Sequence, residues 1–243
     1  MKKKKTRKKV KVKRLLSLFL VVIIISALGY LYANKKITNI YVTGNSLLTE
    51  QTIIELAGLE DYPSIYKVSS NKIKKQLLIS PFVESVKVNK SLLGKVTIEV
   101  KEYEVLCRNS INQISITDNN LNYSDKMGDG SIILSNGKNV TYDKDILGIP
   151  NLINQVDDQV YDEFIKSLTK IDKSILAKIS EIEYSPNELD DERFLFYMTD
   201  QIYVYVTLSK IESINTYNEI APTLEGKKGI LYLDSGNHFQ IKK

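Results

Sequence analysis

An unbroken apolar run, Leu15 to Ala33, stands apart from everything after it, where apolar residues recur with helix or strand periodicity. As a helix rising about 1.5 Å per residue the run reaches roughly 28 Å, close to the hydrocarbon thickness of a bilayer. Beyond it, Ile37 to Thr43 alternates apolar and polar, with Ile40 and Val42 on one face, and breaks at Gly44-Asn45. Thr49 is placed to cap a helix whose buried stripe is Ile53, Ile54 and Ala57, with Gly58 ending it. After Tyr62-Pro63, Ser70 or Asn71 is expected to cap a second helix carrying Ile73, Leu77 and Leu78, and Pro81 marks its end. Val83, Val86 and Val88 lie in one strand. Val96, Ile98 and Val100 alternate with Thr97, Glu99 and Lys101 in the next, and Asn89 to Gly94 join the two.

The second half is richer in strands. Ile132 to Leu134 and Val140 to Tyr142 flank Asn136-Gly137, a pair suited to a type I′ hairpin turn. Phe164, Leu168, Ile171 and Ile175 form a helical stripe. Phe194 to Met198 and Ile202 to Val206 read as a second hairpin around Thr199-Asp-Gln201. A helix from Lys210 directs Ile211, Ile214 and Tyr217 inward, and Gly229 to Leu233 supplies the last strand.

Charge changes the picture at the N-terminus. Lys2 to Lys5, Arg7, Lys8, Lys9, Lys11, Lys13 and Arg14 crowd against the apolar run. By the positive-inside rule this block stays cytoplasmic and the remaining chain is exported. A signal peptide has a shorter apolar stretch, and Leu31-Tyr32-Ala33 is too bulky for a small-x-small cleavage site, so the run is read as a retained anchor. A basic run beside a spanning helix is explained by orientation and by attraction to anionic lipid rather than by nucleic-acid binding. Lys and Arg total 34 against 29 acids. Without the N-terminal block the exported part is mildly acidic and has no general affinity for polyanions. The single Cys107 excludes an intramolecular disulfide, so burial must supply stability.

Candidate chemistry is sparse. The one histidine, His238, is expected in an exposed C-terminal tail. Cys107 with His238 and Arg108 has the composition of a sortase-like transpeptidase, but the cysteine comes first and no sortase-type strand surrounds it. It is read instead as a small apolar residue on the connector between two domains. No Ser and Lys fall in a recognisable hydrolase motif. Asp190-Asp191-Glu192 reads as a solvated turn, and Met127-Gly-Asp-Gly130 lacks the Lys and helix start of a phosphate loop. No catalytic residue, metal ligand, cofactor or small-molecule substrate is indicated, which leaves binding.

Ile40-Tyr-Val-Thr-Gly-Asn45, the capped helix after it, Ser80-Pro-Phe-Val83, Val86-Lys-Val88 and Val96-Thr-Ile-Glu-Val100 together resemble a POTRA domain. Directly behind a basic-flanked anchor, this arrangement resembles the FtsQ/DivIB family of bacterial division proteins. Leu147-Gly-Ile-Pro-Asn151, Ile179-Ser-Glu-Ile182 and Gly229-Ile-Leu-Tyr-Leu-Asp234 resemble the β domain of the same family. Pro222 departs from its pattern, in which a helix runs on to the last strand.

The resemblance implies an α+β chain: a basic cytoplasmic tail (1–14), a transmembrane helix (15–33), a POTRA domain of β-α-α-β-β order (37–104), a mainly antiparallel β domain with flanking helices (105–236) and a short tail (237–243). It implies a non-enzymatic divisome scaffold in the bacterial cell membrane, enriched at the septum, that binds small bitopic proteins of the FtsL and DivIC (FtsB-like) type and meets inner-membrane lipid through its anchor and basic tail. The implied contact strip is Ile230, Leu231, Tyr232 and Leu233, with Asp234, Ser235, Gly236 and Phe239 beyond it, pairing by strand addition at a sheet edge. Within it Tyr232 is the expected hot spot. The alternatives are a POTRA-bearing secretion or assembly factor and an anchored wall-modifying hydrolase or transpeptidase.

Overall fold

A computed structural model describes residues 12–91, 93–111, 131–142 and 146–242. Helix α1, Val12–Ala33, contains a stretch, Lys13–Tyr30, long and apolar enough to cross a membrane, and its side chains are exposed. The basic residues up to Lys11 and the Met127–Gly130 turn lie outside the described residues. The chain divides into two compact units, 1–102 and 103–243.

The first unit runs β1 (Asn39–Thr43), α2 (Glu50–Leu56), α3 (Ser70–Leu77), β2 (Val83–Lys90) and β3 (Lys95–Glu102). The sheet order is β1-β3-β2, with β1 parallel and β2 antiparallel to the central β3. Ile53, Ile73, Leu77, Val96 and Ile98 are fully buried between helices and sheet. Alternation in β3 therefore reports a half-buried strand, as expected.

Two local devices turn β1 into α2. Gly44 has φ +81°, and a Cβ there would stand 2.1 Å from the carbonyl oxygen of Val100, so only glycine fits. The carboxylate of Glu102, at the end of β3, accepts hydrogen bonds from Ser46 N (2.8 Å), Ser46 Oγ (2.9 Å), Leu47 N (2.7 Å) and Leu48 N (3.0 Å). A buried acid thus satisfies the loop's amides just before Thr49 Oγ1 caps α2 by accepting from Thr52 N. In α3 the cap position falls to Ser69 instead of the expected Ser70 or Asn71, and its hydroxyl makes no capping bond.

Among the described residues the second unit is built on one nine-stranded sheet. Its strands are β4 (Val105–Asn109), β5 (Ser131–Leu134), β6 (Asn139–Thr141), β7 (Asn151–Leu152), β8 (Ile179–Tyr184), β9 (Arg193–Met198), β10 (Tyr203–Thr207), β11 (Gly229–Tyr232) and β12 (His238–Ile241). They lie in the order β12-β11-β10-β9-β8-β7-β4-β5-β6. Helices α4 (Asp158–Leu168) and α5 (Lys173–Leu176), a 3-10 helix (Leu208–Thr216) and α6 (Tyr217–Thr223) complete the unit. The stripe expected of one helix is shared by α4 and α5, because Asp172 takes the cap position of a new helix four residues past Leu168.

Phe164, Phe194, Phe196, Val204 and Ile214 centre the core, where Phe164 and Phe194 stack with ring centroids 4.8 Å apart. Ile211, Ile214 and Tyr217 point inward as expected. They come from a 3-10 helix that leaves helical geometry at Lys210 (φ −122°, ψ 19°) and continues into α6, which ends one residue past Pro222.

Three expectations are corrected. Cys107 is not on a connector: it lies in β4, completely buried in the core. Residues 237–243 are not simply a tail, because His238–Ile241 form β12, antiparallel to β11. Consequently Gly229–Tyr232 is not the edge strand. Pairing with β10 on one side and β12 on the other, it is interior, and the edges among the described residues are β12 and β6.

Candidate partner-binding edge

The edge begins with glycine. A Cβ on Gly229 would fall 2.1 Å from the carbonyl oxygen of Gln240 and 2.8 Å from Phe239 Cζ, so the absent side chain lets β12 pass against β11. The register pairs Gly229 with Ile241, Ile230 with Gln240, Leu231 with Phe239 and Tyr232 with His238. Beyond this run Lys242 N donates to Lys228 O at 3.1 Å. In an antiparallel ladder every second pair exchanges hydrogen bonds. Gln240 and His238 therefore spend their backbone groups on β11, while the N–H and C=O of Phe239 and Ile241 point outward.

The connection from β11 to β12 is fastened to the sheet. Leu233 N and Asp234 N both donate to Tyr205 O, at 2.9 and 3.2 Å. Arg193 Nε donates to Asp234 Oδ2 at 2.7 Å, with side-chain exposures of only 14% and 9%. Burial pushes the Asp234 carboxyl up, but hydrogen bonds from Arg193 and Ser235 and the guanidinium charge outweigh it and hold the group below its ordinary value. Lys210 Nζ donates to Asp234 O at 3.0 Å. Gly236 (φ +126°) and Asn237 (φ +52°) then reverse the chain.

On the sheet face away from the helices, planar groups line up across the strands. The Arg193 guanidinium carbon sits 3.5 Å from the centroid of the Tyr205 ring. Tyr205 stacks on Tyr232 at 5.5 Å, and Tyr232 stacks on His238 at 4.6 Å with the rings 9° apart. Lys242 Nζ lies 5.0 Å from the Tyr203 centroid on the same face.

The expected contact strip thus divides. Ile230 and Tyr232 are half-buried on the open face, whereas Leu231 and Leu233 are core residues, 3% and 1% exposed. Asp234 is committed to Arg193, and Ser235 and Gly236 are exposed in the turn. Phe239 lies in β12 and packs against the core, and Ile241 on the same strand face is 55% exposed. Sequence reasoning missed His238, Gln240 and Ile241. The available signal was Gly236-Asn237, a turn pair, followed by polar and apolar residues in alternation.

The cysteine–histidine alternative fails on geometry. Five strands separate β4 from β12, which at about 4.8 Å per strand puts Cys107 and His238 roughly 29 Å apart. Burial also pushes the Cys107 thiol up to about 12, away from a thiolate at neutral pH. Among the described residues no group of three or more His, Cys, Asp and Glu side chains could hold a metal ion.

Comparison with known proteins places this architecture. Residues 35–103 match the POTRA domain of FtsQ type. Cell division protein DivIB of Bacillus subtilis is 26% identical over 242 residues, covering 97% of this chain and 87% of the relative. That of Listeria monocytogenes is 26% identical over 241 residues, covering 98% and 85%. Among solved structures, the major extracytoplasmic domain of DivIB from Geobacillus stearothermophilus is similar at 20% identity with a TM-score of 0.35, covering 50% of this chain and 95% of that one. The chain is an α+β protein with an apolar N-terminal helix and a POTRA domain. Over nearly its whole length it is similar to DivIB cell division proteins.

Proposed function

We propose that this chain is a non-catalytic divisome scaffold, held in the cell membrane by α1 and enriched at the division septum. The β12 edge receives an extended segment from small bitopic partners of the FtsL and DivIC type, and by holding them there the chain helps control septal wall synthesis. Its basic N-terminal block faces the cytoplasm and adds attraction to anionic lipid.

The observation that carries the reading is the state of β12. Its outward backbone groups at Phe239 and Ile241 lack a strand to pair with among the described residues, and apolar side chains flank them. The earlier strip changes role. Gly229 and Leu231 to Asp234 hold β12 in place, and contact passes to Phe239 and Ile241 with Ile230 and Tyr232 behind them.

A proline at position 241 isolates the mechanism. Ile241→Pro removes an outward N–H while leaving the ladder bonds of Gln240 and Lys242 to β11. A photo-crosslinker in place of Gln240, in growing cells, is expected to capture a small bitopic division protein, and Ile241→Pro is expected to reduce that yield at least tenfold with unchanged protein level. An undiminished yield would sink strand addition at this edge.

A further inference from the structure

Resting on that reading of the edge, we infer that β12 selects its incoming strand by a flat side chain, aromatic or guanidinium, placed directly opposite His238. The stack described above follows strand register: Tyr205 pairs with Tyr232, and Tyr232 with His238. Its spacings, 5.5 and 4.6 Å, match the roughly 4.8 Å between strands, so each ring fills the width of one strand. One end is closed by the Arg193 guanidinium. The other ends at His238, which is exposed, with one ring face against Tyr232 and the other turned past the edge of the sheet.

Backbone pairing places the next member. Outward hydrogen bonds come from Phe239 and Ile241, so in antiparallel addition the residue opposite His238 belongs to a non-hydrogen-bonded pair. In such pairs the Cα atoms approach to about 4.5 Å and side chains are closest. A flat group there continues the stack as one more layer. On the other sheet face, Phe239 is half-buried and Ile241 largely exposed, so the residues opposite them are apolar. Read from its N-terminus, the incoming strand is apolar opposite Ile241, unrestricted opposite Gln240, apolar opposite Phe239 and flat opposite His238.

A tethered strand tests this without knowledge of the natural partner. The full chain in detergent micelles is extended past Lys243 by an Asn-Gly turn and a strand whose final residue falls opposite His238. That residue is Tyr, Arg or Ala, and amide exchange of residues 238–242 is followed by mass spectrometry. Tyr and Arg are expected to slow exchange about two- to tenfold relative to Ala, the range for an aromatic pair, and His238→Ala is expected to abolish the difference. Equal protection by all three guests overturns the selection rule while leaving the edge able to take a strand. Failure of every guest to protect the segment removes both the rule and the edge-addition reading.

Discussion

Deleting one member of the Arg193–Asp234 pair tests what holds the end of β11 in place. Arg193 belongs to β9 and Asp234 follows β11, so the contact reaches across β10 and fixes the turn into β12. Asp234→Ala leaves a guanidinium 14% exposed, still lying 3.5 Å from the Tyr205 centroid, with no carboxylate. A charge-assisted hydrogen bond contributes about 1.5–3 kcal/mol. Orphaning a fully buried partner costs about 3–5 kcal/mol. Residual hydration of Arg193 argues for a cost below that of a fully buried pair, so the second unit is expected to lose about 2–3 kcal/mol. Arg193→Ala should cost about the same plus its packing on the ring, worth about 0.5–2 kcal/mol.

Urea unfolding of the single and double variants gives the coupling, expected at about 1.5–3 kcal/mol. A coupling below about 0.5 kcal/mol would refute the pair as a fastener. The pH dependence has a fixed sign. Because the Asp234 carboxyl is held below its ordinary 3.8, its contribution is complete above that value and is lost as pH falls through the lowered one. The wild-type advantage over Asp234→Ala should therefore be flat at neutral pH and vanish only in acid.

Two further outcomes follow from close contacts. Glu102→Gln replaces a carboxylate that accepts four hydrogen bonds with an amide that has one acceptor oxygen; urea unfolding should show the first unit destabilised by about 1.5–3 kcal/mol, with the second unit's transition unmoved. Gly229→Ala brings a methyl within 2.1 Å of Gln240 O. Hydrogen exchange should then show residues 238–242 released at least tenfold faster while β9 and β10 stay protected, and a protected β12 would contradict the close approach.

Much of this fold could be read from periodicity because burial follows it. Val96, Ile98 and Val100 alternate in sequence and are buried in fact, and Thr49 caps the helix it was assigned. The failures fall where neighbours in space decide. Nothing local distinguishes Cys107 on a linker from Cys107 in a core strand, since Val105 to Asn109 is short and its pairing partners, β5 and β7, lie at least twenty residues away. Polar His238 and Gln240 give the end of the chain the composition of a tail, while the alternation they share with Phe239 and Ile241 is that of a strand. Leu231 and Leu233 entered the contact strip because a strand's two faces look alike until the layer covering one of them is known. Glu102 carries no local signal of its role, as its partners stand more than fifty residues earlier.

The two edges of the large sheet differ in what they offer another chain. Strand β6 is three residues long, Asn139–Thr141, with exposed Asn139 and Thr141 flanking a half-buried Val140, a short polar border that offers little to another chain. Strand β12 offers Phe239 and Ile241 on one face and the open stack on the other, a surface that invites pairing. Its safeguard is brevity: four residues, followed by Lys242, whose amine turns back over the Tyr203 ring. Under the proposed function that open surface is what admits a partner's strand.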